Sequence, residues 1–595
     1  MARHGKHGII GNYLLWILVL VGSAYLAGSH IIKGAYPFSW VKGWVLAGAG
    51  IGLIGFTLFL GWSWKKTEIV FLIAYLLFGG FYFIVLPLFK VPDEMSHFLR
   101  AYEISCGHML SDISKDNLGG RELPYNLSPE NLGLSQTEMT HFDIWERYGR
   151  ERLSEETSFL IFWNTSLYAP ISYFPQAIGI GIARLLTDRI VWIAYAGRIA
   201  GFLFVGLIGF LAVKYVPFGK KAMLLVLLLP INMQEAVSLA PDSMVTALTC
   251  ALISFVLYMR ETRKKRMEYW HYILLYCLCI LIGLYKIVYL PFCLFPFLIP
   301  KERFGGKRNY MIHAVVLGIL VTASSMGWLL IAGRYLSTRW GADGGEQVHF
   351  ILTQPFEYLQ VLGNTWKVEG ANYLYNIIGK DFGWLTIRVP KEFVWAYAVL
   401  CLLILLLSGE HSPEKFYPVR LVSFIVVICV FLLTFTSIYV QWNLPRAEII
   451  QGIQGRYFVP LVFPVCMLVH GIVPSLKKVA SFSACLFILV FGIQICMLSD
   501  IFAAGIGEYG GGFREDINGK KYQVSETEYV TDRWYQSEGL WYYFDKDGYL
   551  LRNVWIEGAE GYYYVAEEGY MLTDTITPDG YRVDEKGRRI GKWTK

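Results

Sequence analysis

Immediately after an apolar stretch the chain reads VPDEMSHFLRAYEIS over 91–105. Pro92 followed by two carboxylates, Asp93 and Glu94, has the form of a helix start, because acidic side chains favour the positive end of the helix dipole. On such a helix Asp93, His97 and Arg100 fall at i, i+4 and i+7, along one face. Acidic helix starts occur on many loops. Here, however, two adjacent carboxylates end an apolar run, where either could take a proton from a group arriving at the lipid surface. Asp93 and His97 alone are too few ligands to specify a metal, and no CxxC or His/Cys cluster has metal-ligand spacing. No cofactor is expected, and a divalent metal stays open.

Cations are the complementary set. Arg198 lies inside one apolar run, Lys286 between two, and Arg446 and Arg456 in a short connection. An ionisable residue at membrane depth costs roughly 2.5–3.5 kcal/mol on insertion scales, so it is usually paired or functional. Arg198 could pair with Glu235 or a backbone carbonyl, and Arg456 could snorkel at a helix end. Asp242, after Pro241, either caps the next helix or joins a site.

The elements that must position these residues are apolar helices. Of the residues, 55% are hydrophobic and 17% charged, against about 25% charged in soluble chains. This composition excludes a cytosolic enzyme, a secreted scaffold and a nucleic-acid-binding protein, and the net charge of +6 reads as loop charge biased across a bilayer. All cysteines except Cys106 lie in apolar stretches, and no disulfide framework is legible. Runs able to cross about 30 Å of hydrocarbon predict an all-α polytopic membrane protein of about thirteen spans. They fall near 9–27, 44–62, 67–88, 190–213, 221–237, 243–259, 269–285, 286–300, 309–333, 392–408, 420–441, 457–475 and 479–499.

Basic clusters at Lys65 and Lys66, Lys220 and Lys221, RETRKKR over 260–266, Lys301–Arg308, and Lys477 and Lys478 alternate with poorly basic connections. The positive-inside rule therefore sets the N-terminus inside and the C-terminus outside. This parity requires the apolar segment 169–186 to lie along the interface as a juxtamembrane helix. Loops 89–189 and 334–391 then face outward. The domain division is a 1–502 transmembrane domain, a 503–533 linker and a 534–595 repeat domain.

In that last domain WYYFDKDGYLL (541–551) recurs as YYYVAEEGYML (562–572) and more weakly as YRVDEKGRRI (581–590). Each unit reads as an aromatic strand, a tight turn ending on Gly548, Gly569 or Gly587, and a second strand, giving a stack of β-hairpins. Trp534, Trp541, Tyr543, Trp555, Tyr562 and Tyr564 are the candidate wall-binding aromatics. They either cage a cation or only pack between hairpins.

The segments PDEMSHFLRA, NTSLYAPISYFPQAIGI (164–180), Gly197-Arg198, MQEAVSLAPDSM (233–244), GKDFGWLTIRVP (379–390) and IQGRYFVP (453–460) together resemble the bacterial membrane-protein family called domain of unknown function 2142, over roughly 90–475. That family is similar in turn to the C-type glycosyltransferase fold, an analogy at fold level. The resemblance implies a helical enzyme of the Gram-positive plasma membrane that takes a sugar from a polyprenyl phosphate. An acid in the first outer loop, Asp93 or Glu94, would serve as base, with a cell-wall or surface polysaccharide as acceptor. His97, Arg100, Arg198, Asp242, Lys286, Arg446 and Arg456 would contact substrate. A transporter or flippase of lipid-linked sugar is the rival reading. Relatives often carry Asp where this chain has Thr386. The tail resembles cell-wall-binding repeats of the choline-binding type, with the departure that Trp555 follows Val554 rather than a glycine.

Overall fold

The computed structural model describes Val21 and residues 66–592, apart from 116, 129–130, 132–139, 141–143, 145–147, 263–265, 336–342, 408–415, 471–479, 507–511, 517–518, 524–528, 538–539 and 559–560. Apart from Val21, the expected spans near 9–27 and 44–62, and the basic residues Lys65, Lys477 and Lys478, lie outside the described residues. The chain divides into two compact units, Met1–Gly505 and Ile506–Lys595.

The first unit is helical. Six described helices are long and apolar enough to cross a membrane: Thr67–Val85, Ile190–Tyr215, Asp242–Glu261, Lys307–Tyr335, Tyr417–Trp442 and Cys485–Phe502. Tyr269–Tyr285 and Lys391–Leu407 are shorter apolar helices. Three expected features take a different form. The run 221–237 is not one span but two short helices, Lys220–Leu227 and Pro230–Ala236, because Pro230 has no N–H to donate and forces Leu229 out of helical geometry. The run 286–300 is a 3-10 helix, Ile287–Leu298, holding Pro291 and Pro296. The segment 334–391 is no open loop: it carries the helices Gly344–Thr353 and Pro355–Ile378 and a two-stranded hairpin pairing Asp381–Phe382 with Ile387–Arg388.

The segment 89–189 folds on itself. Strands Asp112–Ile113, Gly119–Pro124 and Thr157–Ile161 form an antiparallel sheet in sequence order. Phe98, Tyr148, Tyr173, Ile190 and Leu239 share one buried core with the Glu94–Ser105 helix. The expected interfacial segment forms the helix Phe174–Arg184. At eleven residues it reaches about 16 Å, too short to cross. Phe174, Ile178 and Ile182 expose an apolar ridge at i, i+4 and i+8. Its other side meets the Ile190–Tyr215 helix at Gly179, where a Cβ would stand 2.3 Å from the Ala196 carbonyl oxygen.

The second unit is a series of antiparallel hairpins. Gly512–Asp516 pairs with Gly519–Gln523, Arg533–Ser537 with Leu540–Phe544, and Val554–Gly558 with Gly561–Val565, and a three-stranded sheet spans 575–592. The first of these hairpins falls in the segment read as linker. Bridges Lys521↔Tyr549, Tyr542↔Tyr570 and Tyr563↔Arg588 tie each hairpin to the next, so each aromatic strand is covered by its successor.

Candidate functional site

Asp93 and Glu94 point into different surroundings. Asp93 immediately precedes the Glu94–Ser105 helix with φ 61°, and its side chain caps no helix N–H. Left-handed backbone at a residue other than glycine is uncommon, though aspartate tolerates it better than most. Its carboxylate accepts a hydrogen bond from Asn164 Nδ2 at 3.1 Å. Burial raises the Asp93 pKa above the usual carboxylate range, while the nearby Arg456 and Lys286 charges work against that rise and Asp242 adds to it.

Glu94 is fully buried and fully engaged. Arg198 donates to both of its oxygens at 2.6 Å, and the Leu239 backbone N–H donates at 3.1 Å. Arg198 also donates to the carbonyls of Leu86 and Pro87. The partner of Arg198 is therefore Glu94, together with backbone carbonyls, and not Glu235. His97 is buried with Nδ1 2.7 Å from the Tyr173 hydroxyl, and burial pushes its pKa down to about 3, leaving a neutral imidazole. Arg100 turns away from Asp93 and His97: it donates to Glu103, Ser111 and the Met109 carbonyl. Arg121 reaches the same Glu103 at 2.6 Å, which closes a buried network between helix and sheet.

Two more ion pairs complete the neighbourhood of Asp93. Asp242, in the first turn of its helix, pairs with Lys286. The Lys286 ammonium lies 5.0 Å from the Tyr457 ring centre and 5.7 Å from that of Tyr168. Arg456 donates to Glu235 at 2.8 Å, and both are buried. Asp93, Asp242, Lys286, Arg456 and His97 thus act electrostatically on one another, although they come from segments hundreds of residues apart. Arg446 stands apart from them, exposed at the surface with Nε 3.6 Å from Glu346. Among the described residues no group of three or more His, Cys, Asp or Glu could hold a metal.

Beside this cluster lies a cavity of about 250 Å³, with Pro92, the neighbour of Asp93, in its wall. Its polar lining includes Asn376, Lys380, Asp381, Arg388, Gln454 and Arg456. Asn376 builds much of it: its Nδ2 donates to Asp381 Oδ2 at 2.7 Å, and its Oδ1 accepts from the Lys380 and Asp381 backbone N–H groups. Gln234 accepts from Gly383 N–H at 2.8 Å, fixing the other side of the hairpin. Gly455 permits the close approach, because a Cβ there would stand 2.5 Å from the Tyr373 carbonyl oxygen. Asp381, Lys380, Asn376 and Gln454 were not singled out from sequence, although Asn372, Asn376 and Lys380 repeat at i, i+4 and i+8 in a readable polar stripe.

In the second unit Trp534 meets Tyr543 and Tyr563 edge-on, with centroids at 5.2 and 5.8 Å. Trp555 meets Tyr564 and Tyr581 at 5.2 and 5.7 Å. Trp541 and Tyr562 are exposed. The Arg589 guanidinium carbon lies 4.7 Å from the Tyr562 ring centre, 5.0 Å from Tyr581 and 5.5 Å from Trp555.

Residues 76–465 match the family model described as predicted membrane protein (DUF2142), and residues 549–589 match that of the choline-binding repeat. Among solved structures the chain is similar to the modular Cpl-1 endolysin complexed with a peptidoglycan analogue, and to the multimodular pneumococcal cell wall endolysin from phage Cp-1 complexed with choline. Each is 28% identical over 14% of this chain and 26% of the endolysin chain, with a TM-score of 0.14. The match thus spans about a quarter of the endolysin's length. No curated protein matches the chain.

Proposed function

The chain belongs to the DUF2142 family of predicted membrane proteins, and we propose that it is a glycosyltransferase moving a sugar from a polyprenyl phosphate to a cell-wall or surface polymer on the outer face of a Gram-positive plasma membrane. The observation that carries this reading is the position of Asp93, hydrogen-bonded by Asn164, between two buried or partly buried ion pairs and a polar cavity. Asp93 takes the acceptor hydroxyl's proton as the new C1–O bond forms. The bond from C1 to the lipid phosphate breaks with inversion, and the phosphate leaves with the electron pair. A partly buried carboxylate is a stronger base than a solvated one. Asp242 offsets the Lys286 charge and Glu235 holds one side of Arg456, so the phosphate falls to Arg388 at the cavity and to the Arg456 Nε that Glu235 leaves without a partner among the described residues. Glu94 and Arg198 then hold the Asp93 backbone in place. The choline-binding-type repeats would keep the enzyme beside its polymer, raising local acceptor concentration.

One observation favours the rival, a flippase of lipid-linked sugar. The break between Lys220–Leu227 and Pro230–Ala236 brings Ile231 and Gln234 to the cavity, and interrupted helices at a substrate site are typical of transporters. Mass spectrometry of wall polymers and lipid-linked sugars, comparing wild-type cells with cells carrying Asp93→Asn, separates the two. A transferase leaves its donor unspent and its polymer unmodified in the variant. Modified polymer at wild-type levels overturns the transferase reading.

A further inference from the structure

Residues that line the cavity beside Asp93 carry buried polar atoms that their partners among the described residues do not satisfy. Asp381 Oδ1, Gln454 Oε1 and Arg456 Nε are buried and have no hydrogen-bond partner among the described residues, and all three residues line the cavity. A buried polar atom without a partner is unfavourable, so three on residues that line one space mark a place where a bound molecule can supply what the chain does not. The types of atom decide which ligand. Asp381 Oδ1 and Gln454 Oε1 are acceptors and require donors. The diester phosphate of a lipid-linked sugar offers acceptors only, and it would set its charge against the Asp381 carboxylate. A hydroxylated ring offers O–H donors at its edge and C–H surface on its faces, and Ile231, Leu385 and Ile453 supply apolar wall. At about 250 Å³ the space is below the roughly 300–1,000 Å³ of drug-sized sites, fitting one such ring rather than a chain of them.

From this pattern we infer that the wall formed by Asp381 and Gln454 is a monosaccharide subsite that binds a single pyranose through its hydroxyls. Arg456, which borders both the subsite and the Asp93 cluster, marks the end from which a charged substituent projects. The inference rests on the proposed handling of lipid-linked sugar and assigns the sugar its place. It also separates the roles of two acids: Asp93 acts on a proton, and Asp381 reads hydroxyl groups.

The test uses the full chain in nanodiscs of phosphatidylglycerol, which present no sugar head groups. Methyl glycosides of several common hexoses, and inorganic phosphate in parallel, are titrated against its thermal midpoint. At least one glycoside is expected to raise the midpoint at millimolar concentration. Asp381→Asn and Gln454→Leu are each expected to weaken that apparent affinity tenfold or more, while leaving any effect of phosphate in place. Should Asp381→Asn fold poorly, Gln454→Leu alone carries the comparison. Protection by phosphate and by no glycoside, no protection by either, or glycoside protection unchanged in the folded variants would each overturn the subsite. If glycoside binding behaves as expected but Asp93→Asn cells make normal polymer, the transferase reading fails and the sugar site stands.

Discussion

Arg198 and Glu94 meet through two charge-assisted hydrogen bonds of 2.6 Å, with both side chains wholly buried. The pair joins the Ile190–Tyr215 helix to the start of the Glu94–Ser105 helix, and the Leu239 N–H draws in a third segment. Removing one partner of a buried pair strands the other charge and costs about 3–5 kcal/mol. Arg198→Met and Glu94→Gln are therefore expected to lower the yield of folded protein and its thermal midpoint sharply. Transfer per folded molecule should fall far less than in Asp93→Asn. A Glu94→Gln protein that folds normally yet transfers no sugar would return Glu94 to the chemistry.

Asp93 should behave in the opposite manner. Among the described residues its carboxylate is held by a single Asn164 contact, so Asp93→Asn preserves packing and should cost transfer 100-fold or more, the usual scale for loss of a general base. A base must be ionised to act. Because burial raises the Asp93 pKa, activity should fall with decreasing pH through a midpoint above the ordinary carboxylate value of about 3.9. A pH–rate profile measured on folded protein checks this, and a flat acid limb down to the ordinary value contradicts it.

Half of this arrangement is legible in the sequence, and the division follows from physics. The long apolar runs announce helices because hydrocarbon demands them, and Pro92-Asp93-Glu94 announces a helix start. The direction each acid takes depends on the left-handed backbone at Asp93, which no pattern of residue types reveals. Pro230 could have warned against a single span over 221–237, since proline within an apolar run breaks helical bonding. Asp381 falls within GKDFGWLTIRVP, where no pattern of residue types marks it as a site acid. Its importance comes from Asn376, one turn before it in a helix read as loop, and from Gly455, brought close by tertiary contact alone.

His97 gives a stability test that needs no substrate. In the unfolded chain it binds a proton below about pH 6.5, whereas in the fold its pKa is near 3 because burial disfavours the cation. Between those values the unfolded state holds the extra proton, so stability from this residue is complete above about pH 6.5 and is lost as pH falls toward 3. The loss is at most about 1.4 kcal/mol per pH unit. Thermal midpoints between pH 7 and 5 should therefore decline less steeply in His97→Gln than in wild type. Equal slopes would show that His97 is protonated in the fold.

Arg589 is expected to lower the number of cations that the tail can take. Its guanidinium sits among Tyr562, Tyr581 and Trp555 at 4.7–5.5 Å, the surroundings a quaternary ammonium would seek. Trp555 is held in place by donating its indole N–H to Asp579 at 2.7 Å. Each cation–π contact is worth only about 0.5–2 kcal/mol, but an arginine on the same chain competes at an effective concentration of the millimolar order or above. Free choline at lower concentration should leave these rings closed. Equilibrium binding of radiolabelled choline to the full chain, in phosphatidylglycerol nanodiscs that contribute no choline head groups, measures the stoichiometry. Arg589→Ala is expected to bind one choline more than wild type, and Trp555→Ala added to it should remove that extra site. Equal stoichiometry in wild type and Arg589→Ala would mean that the three rings cage nothing but the arginine.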